Sequence, residues 1–281
     1  MNDKKNKITL ATALAKGVKT LEEEGIKEAK LDAWYLMEYY FNVTRAEFFL
    51  HSDREITSLQ MDEYTALTQK RADNVPLQYI TGEQEFMGLK FKVGPGVLIP
   101  RQDTEILVEE VLKVAKDKEI LDLCTGSGCI ITSLSKLGRL KRAVGTDISK
   151  KALEIAKENI KSHQVDVTLL HGDLFESVTG KFDIIVSNPP YIPTADINGL
   201  MVEVKEHEPF IALDGKEDGL HFYRRIAAEA GKYLNPGGML FLEIGYDQGP
   251  DLVQLLKKSG YYDVEIIKDL AGLNRVAYGR I

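Results

Sequence analysis

The order of apolar and polar positions changes character twice along the 281 residues. Residues 8 to about 72 contain no proline, and their apolar positions recur near a 3.6-residue period, which predicts short amphipathic helices. In "LDAWYLMEYYFNV", Leu31, Trp34, Tyr35, Leu36 and Met37 form the apolar stripe, with Asp32 and Glu38 off it. "TLEEEGIKEAKLDAWYLM" and "SLQMDEYTALTQKRAD" add two such patterns, the latter with Thr57 or Ser58 as N-cap. A small helical bundle over residues 1–75 follows, serving either as packing or as a module that docks a partner.

From residue 76 to 100 the period shortens to two. Phe86, Leu89, Phe91 and Val93 alternate with polar residues, and Gly82, Gly88, Gly94 and Gly96 punctuate them, which predicts a β-hairpin connecting two domains. Over residues 101–281 short apolar runs alternate with helical stretches. The runs are "EILDLC", "RAVGTDI", "VTLLHG", "FDIIVSN" and "GMLFLEIG"; "SKKALEIAKENIKSH" and "LHFYRRIAAEAGKYL" are the clearest helices. This is the layout of buried parallel strands with crossover helices. The tail "YYDVEIIKDLAGLNRVAYGRI" leaves no room for a helix between two strands, so the last pair is antiparallel. The fold class expected is α/β: a doubly wound, mostly parallel sheet with an antiparallel terminal strand.

Composition narrows the function. The chain is 44% hydrophobic with a net charge of −7, and no run approaches the roughly 18 apolar residues of a membrane span. The first twenty residues carry no secretory pattern. Before Pro76 stand 11 basic and 13 acidic residues, and after it 25 and 30, so neither part offers the basic field of a nucleic-acid binder. Cys124 and Cys129 make no disulfide framework, and five scattered histidines give them no metal partners. A cytoplasmic monomer without a metal, away from membranes and nucleic acids, is expected.

The first strand of the repeating part runs into "DLCTGSGCI", containing Asp122, Cys124, Thr125, Gly126, Ser127 and Gly128. Glycines here permit a tight turn and the close approach of a ligand at the carboxyl end of a strand. A plain structural turn would use the same pair. Asp147 closes the next strand, where a carboxylate can accept both hydroxyls of a ribose. Ile131 occupies the place of the third glycine of a dinucleotide fingerprint, which argues against a pyrophosphate and for a nucleoside without phosphates, such as S-adenosylmethionine. "HGDLF" supplies Asp173 for adenine, with Leu174 or Phe175 against its face; each serves equally well as an ordinary strand-end residue.

The fourth strand ends in Asn188-Pro189-Pro190-Tyr191. Both prolines fix φ and hold the preceding residue extended, so the corner is rigid. It offers the Asn188 side-chain oxygen and the Pro189 carbonyl as acceptors, with the Tyr191 ring above. A planar –NH2 group donating to both acceptors would aim its nitrogen at one spot, and the positive charge gained on attacking a sulfonium methyl would meet fixed dipoles. The segment from Ile192 to Gly219 has few strand or helix signals and is read as a substrate-facing loop.

"NPPY" after an apolar strand, with "DLCTGSG" before it, resembles the amino-group methyltransferases. The fuller set "PLQYITGEQEFMG", "GVLIPRQDTEILVE", "DLCTGSG", "SNPPYIP" and "EPFIALDGKEDGL" resembles the peptide chain release factor N5-glutamine methyltransferases (HemK/PrmC family) over nearly the whole chain. The resemblance implies a Rossmann-like methyltransferase sheet and S-adenosylmethionine as cofactor. It also implies class 1 release factors as partners, methylated on the glutamine of their Gly-Gly-Gln loop and recognised by the helical domain. By position, Asn188 and Pro189 would hold the substrate amide and Tyr191 cover it, while Asn188 also borders the cofactor. Arg101 and Glu105 would shape the site. The family prefers glycine where this chain has Cys124, and some members have tryptophan near Leu174. A ribosomal-protein glutamine methyltransferase shares the same corner. A DNA adenine methyltransferase would need a basic surface and more often has aspartate at position 188; an inactive cofactor-binding scaffold would not need the corner at all.

Overall fold

The structure, a computed structural model, describes Lys7 to Ile281; the first six residues, where the reading of the leader begins, lie outside the described residues. The chain divides into two compact units, one comprising the residues up to Gly82 with Val202–His207, the other Glu83–Met201 with Glu208–Ile281.

The first unit holds helices α1 (Leu10–Glu23), α2 (Ala29–Phe41), α3 (Arg45–His51), α4 (Ser58–Ala72) and α5 (Leu77–Thr81), joined by Val202–His207 (α9 in chain order). Three of them start on threonine capping boxes, in which Thr9, Thr44 and Thr57 side chains accept from the amide three residues on. Thr57, not Ser58, is therefore the cap of α4. The stripe expected on α2 is only half right. Trp34, Leu36 and Met37 are buried, whereas Leu31 and Tyr35 are exposed and Asp32 is buried. The reason is ionic: Arg71 of α4 donates to Asp32 at 2.7 Å and reaches Glu203 of α9 at 2.7 Å, which makes a buried carboxylate tolerable.

The second unit begins with the hairpin β1 (Glu83–Phe86) and β2 (Leu89–Lys92), turned at Met87 and Gly88, both with positive φ as a two-residue hairpin loop demands. Phe86 and Phe91 project from it into the core. Then come α6 (Gln102–Leu112), β3 (Glu119–Leu123), α7 (Cys129–Gly138), β4 (Arg142–Asp147), α8 (Lys150–His163), β5 (Thr168–His171) and β6 (Phe182–Ser187). After a 3-10 turn at Thr194–Gly199 follow α10 (Phe210–Leu213), α11 (His221–Glu229), β7 (Leu234–Glu243), α12 (Gly249–Lys258), β8 (Tyr262–Lys268) and β9 (Asn274–Arg280).

Seven strands form one sheet in the order β5-β4-β3-β6-β7-β9-β8. The first five run parallel, and β9 is antiparallel to both neighbours, so the last strand in sequence sits one place in from the edge. Alternation along each strand feeds two cores. On one face Leu121, Leu123, Ile185, Leu240 and Leu242 pack with α11 and α12. On the other, Ile120, Ile184, Val186 and Phe241 pack with the hairpin, α6 and α7. The strand order reverses between β3 and β6, the switch point at which an open α/β sheet leaves a crevice beyond its carboxyl ends.

Candidate active site

Leu123 is the register partner of Ser187, and the Ser187 hydroxyl donates to the Leu123 carbonyl at 2.8 Å. The glycine loop and the Asn-Pro-Pro-Tyr corner therefore start from paired residues on adjacent strands. A cavity of about 320 Å³ opens there, lined only by residues of the second unit.

Of the loop, Cys124, Thr125, Gly126 and Ser127 line the cavity. Cys124 has φ +58°, which explains why a glycine suits this position and why the thiol that replaces it must be small and unbranched. Gly128 lies behind the loop: a Cβ there would stand 3.1 Å from the Ala156 Cβ, so glycine is needed for α7 to approach α8. Asp122 also lies behind. It is fully buried on the α7 face, accepts from the Thr125 hydroxyl at 2.5 Å, and its carboxyl is pushed up to about 7 by burial. Asp122 braces the turn from beneath.

Asp147 lines the cavity and accepts the Gly126 N–H at 2.8 Å on one oxygen and the Ser149 N–H at 2.8 Å on the other. Burial raises its pKa against these bonds. Each oxygen keeps a second lone-pair direction for a ligand hydroxyl. Asp173 and Leu174 line the cavity too, with Asp173 ion-paired to Arg225 of α11 at 2.9 Å. Phe175 does not; it is buried and stacked on Tyr233 at 4.7 Å between ring centroids.

At the corner, Asn188 and Pro190 line the cavity, whereas Pro189 and Tyr191 do not. The Asn188 side-chain nitrogen donates to the Thr104 hydroxyl at 3.3 Å, so the amide oxygen is the end left for a ligand. Tyr191 turns its hydroxyl to Glu243 at 3.4 Å, and its carbonyl accepts from Gln248 at 3.0 Å. Burial, then the Glu243 charge, pushes the phenol well above its ordinary pKa. Arg101 lines the cavity and pairs with the buried Glu208, but Glu105 accepts the Met87 N–H at 2.5 Å and so braces the hairpin instead.

Residues 192–219, read in the sequence as a substrate-facing loop, supply the wall opposite the glycine loop, but which of them reach the cavity was missed. Ile192 and Thr194 pair with the 213–216 stretch, which brings Pro209, Ile211, Ala212 and Lys216 to the cavity. Gly215 and Gly219 allow this, since a Cβ at either would lie under 3 Å from the Tyr191 backbone. The segment read as a loop also holds the 3-10 turn, α9 and α10. Thr104 and Glu243 were missed as well. The one available signal was a carboxylate at the end of the apolar run "GMLFLEIG".

Charge completes the picture. The cationic lining residues Arg101, Lys216 and Arg225 are ion-paired with Glu208, Asp214 and Asp173. The lining carboxylate of Asp147 is held by backbone amides instead, so the cavity favours a positively charged, phosphate-free ligand. No group of His, Cys, Asp and Glu among the described residues could hold a metal ion.

Fold and site together define a Rossmann-like methyltransferase. The structure is similar to that of a methyltransferase from Pyrococcus furiosus, with a TM-score of 0.53 and 22% identity over 69% of this chain and 90% of that one. The methyltransferase small domain model matches residues 100–204, and the PrmC N-terminal domain model matches residues 12–82. A release factor glutamine methyltransferase of Geobacter sulfurreducens is 43% identical, covering 93% of both chains. One of Moorella thermoacetica is 42% identical over 97% of this chain and 99% of its own. The chain belongs to the release factor glutamine methyltransferase family.

Proposed function

We propose that the protein transfers a methyl group from S-adenosylmethionine to the side-chain amide nitrogen of the glutamine in the Gly-Gly-Gln loop of class 1 peptide chain release factors. The observation that supports this reading is the pairing of Leu123 with Ser187, which brings the glycine loop and Asn188 to one cavity. The substrate follows from relatives that match nearly the full chain, helical unit included. That coverage favours the release factor branch over the ribosomal-protein one.

The residues fit the cofactor. Asp147 presents free lone pairs, the loop from Cys124 to Ser127 lies open to the cavity, Leu174 offers an apolar face, and the lining cations are already paired. When bound, S-adenosylmethionine supplies an electrophilic methyl group next to a positive sulfur. The chain's own part is to hold and orient the acceptor. Asn188 Oδ1 takes a hydrogen of the glutamine amide at the cavity wall and orients its plane, while Pro189, expected as the second acceptor, is not a lining residue. As the amide nitrogen gains positive charge the Asn188 dipole stabilises it without reorganising, and the proton leaves afterwards. Tyr191 supports the corner from the core side, its hydroxyl on Glu243. The helical unit, residues 1–75 in the sequence reading, contributes recognition of the release factor. No helix of the described residues is long and apolar enough to cross a membrane.

The test is transfer of labelled methyl to a recombinant release factor. Labelling is expected with the native Gly-Gly-Gln loop and none after its glutamine is changed to alanine; equal labelling of both overturns the substrate.

A further inference from the structure

We propose that Phe210 and Ile211, on the strap that walls the cavity opposite the glycine loop, form a docking rim for the methyl acceptor. The rim takes an apolar side chain that the release factor carries within about three residues of its acceptor glutamine, on the side away from the two glycines. This rests on the function proposed above, whose acceptor is a glutamine within a protein loop.

Phe210 and Ile211 stand side by side at the start of α10, 56% and 51% exposed, while Leu213 at the end of the same short helix is buried. Isolated apolar residues on a surface need no explanation. These two differ because the backbone that carries them is tied at both ends. Glu208, just before them, is buried, pairs with Arg101 and accepts the Ile99 N–H at 3.4 Å. Just after them, the Ile192 N–H donates to the Leu213 carbonyl at 3.0 Å, and the Gly215 N–H donates to the Ile192 carbonyl at 2.8 Å. Asp214 accepts from the Thr194 hydroxyl at 2.5 Å. The strap is therefore fastened to the residue that follows Tyr191, and the apolar pair keeps a fixed place beside the corner.

Ile211 also lines the cavity, as do Pro209 and Ala212. A residue that is both a lining residue and half exposed marks the mouth. A glutamine side chain that reaches Asn188 leaves its backbone at that mouth, and the residues beside it run across the rim. Extended chain advances about 3.3 Å per residue, so three residues cover roughly 10 Å. The glycines of a Gly-Gly-Gln loop bring no side chain, which leaves the contact to the residues after the glutamine.

Charge decides what kind of side chain fits. The ionised groups of residues 208–216 are already matched, Glu208 by Arg101 and Asp214 by Lys216 at 2.7 Å. An ionic partner would find its counter-charge taken. An apolar side chain laid on Phe210 and Ile211 instead removes apolar surface from water on both partners.

The test uses the full chain and a recombinant release factor. Phe210→Asp places an unmatched carboxylate on the rim and should raise KM for the release factor about tenfold or more. It should leave kcat within about twofold, the pattern of binding lost equally from ground and transition states. Phe210→Leu should stay within about threefold of the wild type in both. Cofactor affinity by calorimetry and the unfolding temperature should not move, since Phe210 is largely exposed and lies off the cavity lining. With p-benzoyl-phenylalanine in place of Phe210, light should cross-link the release factor within about three residues after its glutamine, read by mass spectrometry. An unchanged KM in Phe210→Asp, or cross-links only elsewhere on the release factor, overturns the rim while a wild type that labels the release factor keeps the function. A wild type that labels no release factor overturns the function, and the rim with it.

Discussion

The N–H of Gly126 donates to the Asp147 carboxylate at 2.8 Å, so the loop after β3 and the end of β4 form one rigid wall of the cavity. Behind that wall Gly128 has φ +77°, with Ala156 of α8 at its back. A Gly128→Ala change adds left-handed strain and a tight contact, costing about 2 kcal/mol of stability. Because the loop must shift to relieve it, cofactor affinity should fall by tenfold or more, on the order of 1.4 kcal/mol. Thermal unfolding and calorimetry measure the two effects.

Removing the Asn188 side chain separates holding the cofactor from using it. Asn188→Ala should keep cofactor affinity, since Asp147 and the glycine loop are untouched. Turnover should fall roughly 100-fold, about 3 kcal/mol, for the loss of one preorganised acceptor. Calorimetry beside a rate assay checks this, and unchanged turnover would remove Asn188 from the proposed mechanism.

The buried carboxyls predict how stability varies with pH. Asp122 rises from 3.8 to about 7 through burial. Between those values the folded chain keeps a proton that the unfolded chain has released. The stability this confers is complete below about pH 4 and is lost as pH rises through about 7. The loss is on the order of 4 kcal/mol, and Glu243 adds to it in the same direction. Asp122→Asn, which keeps an acceptor for Thr125, should flatten the slope between about pH 4 and 7 in urea titrations. An unchanged slope would mean that Asp122 is ionised in the fold.

In the helical unit, Arg71 serves Asp32 and Glu203 together. Arg71→Met keeps the length of the side chain but leaves Asp32 buried without a counter-charge, a loss of about 3 kcal/mol. Asp32→Asn in the same background should recover part of it. Urea unfolding of the four variants of the cycle gives the coupling directly.

Much of the molecule was legible in the residue pattern. Alternating apolar runs and helices gave the doubly wound sheet, the two-residue period gave the hairpin around Met87 and Gly88, and "NPPY" after "FDIIVS" marked the corner. These are local matters: periodicity, turn chemistry and the fixed φ of proline act within a few residues of themselves. They also marked Cys124 to Gly128, Asp147 and Asn188 as belonging to one chemistry.

What only the tertiary structure decided is which face each residue turns to. Asp122 and Gly128 look like cavity residues in sequence, yet alternation along β3 and the approach of α7 to α8 put them behind the loop. Phe175 stacks on Tyr233 and Tyr191 turns toward Glu243, because the core offered each a partner far away in the chain. Asp32 lies buried for the same reason, since Arg71 reaches it from α4. Thr104 meets Asn188, and Glu243 meets Tyr191, only once α6 and β7 pack beside the corner. A local pattern specifies which element forms; burial and partner, which set pKa and hydrogen-bond direction, depend on elements several dozen residues apart.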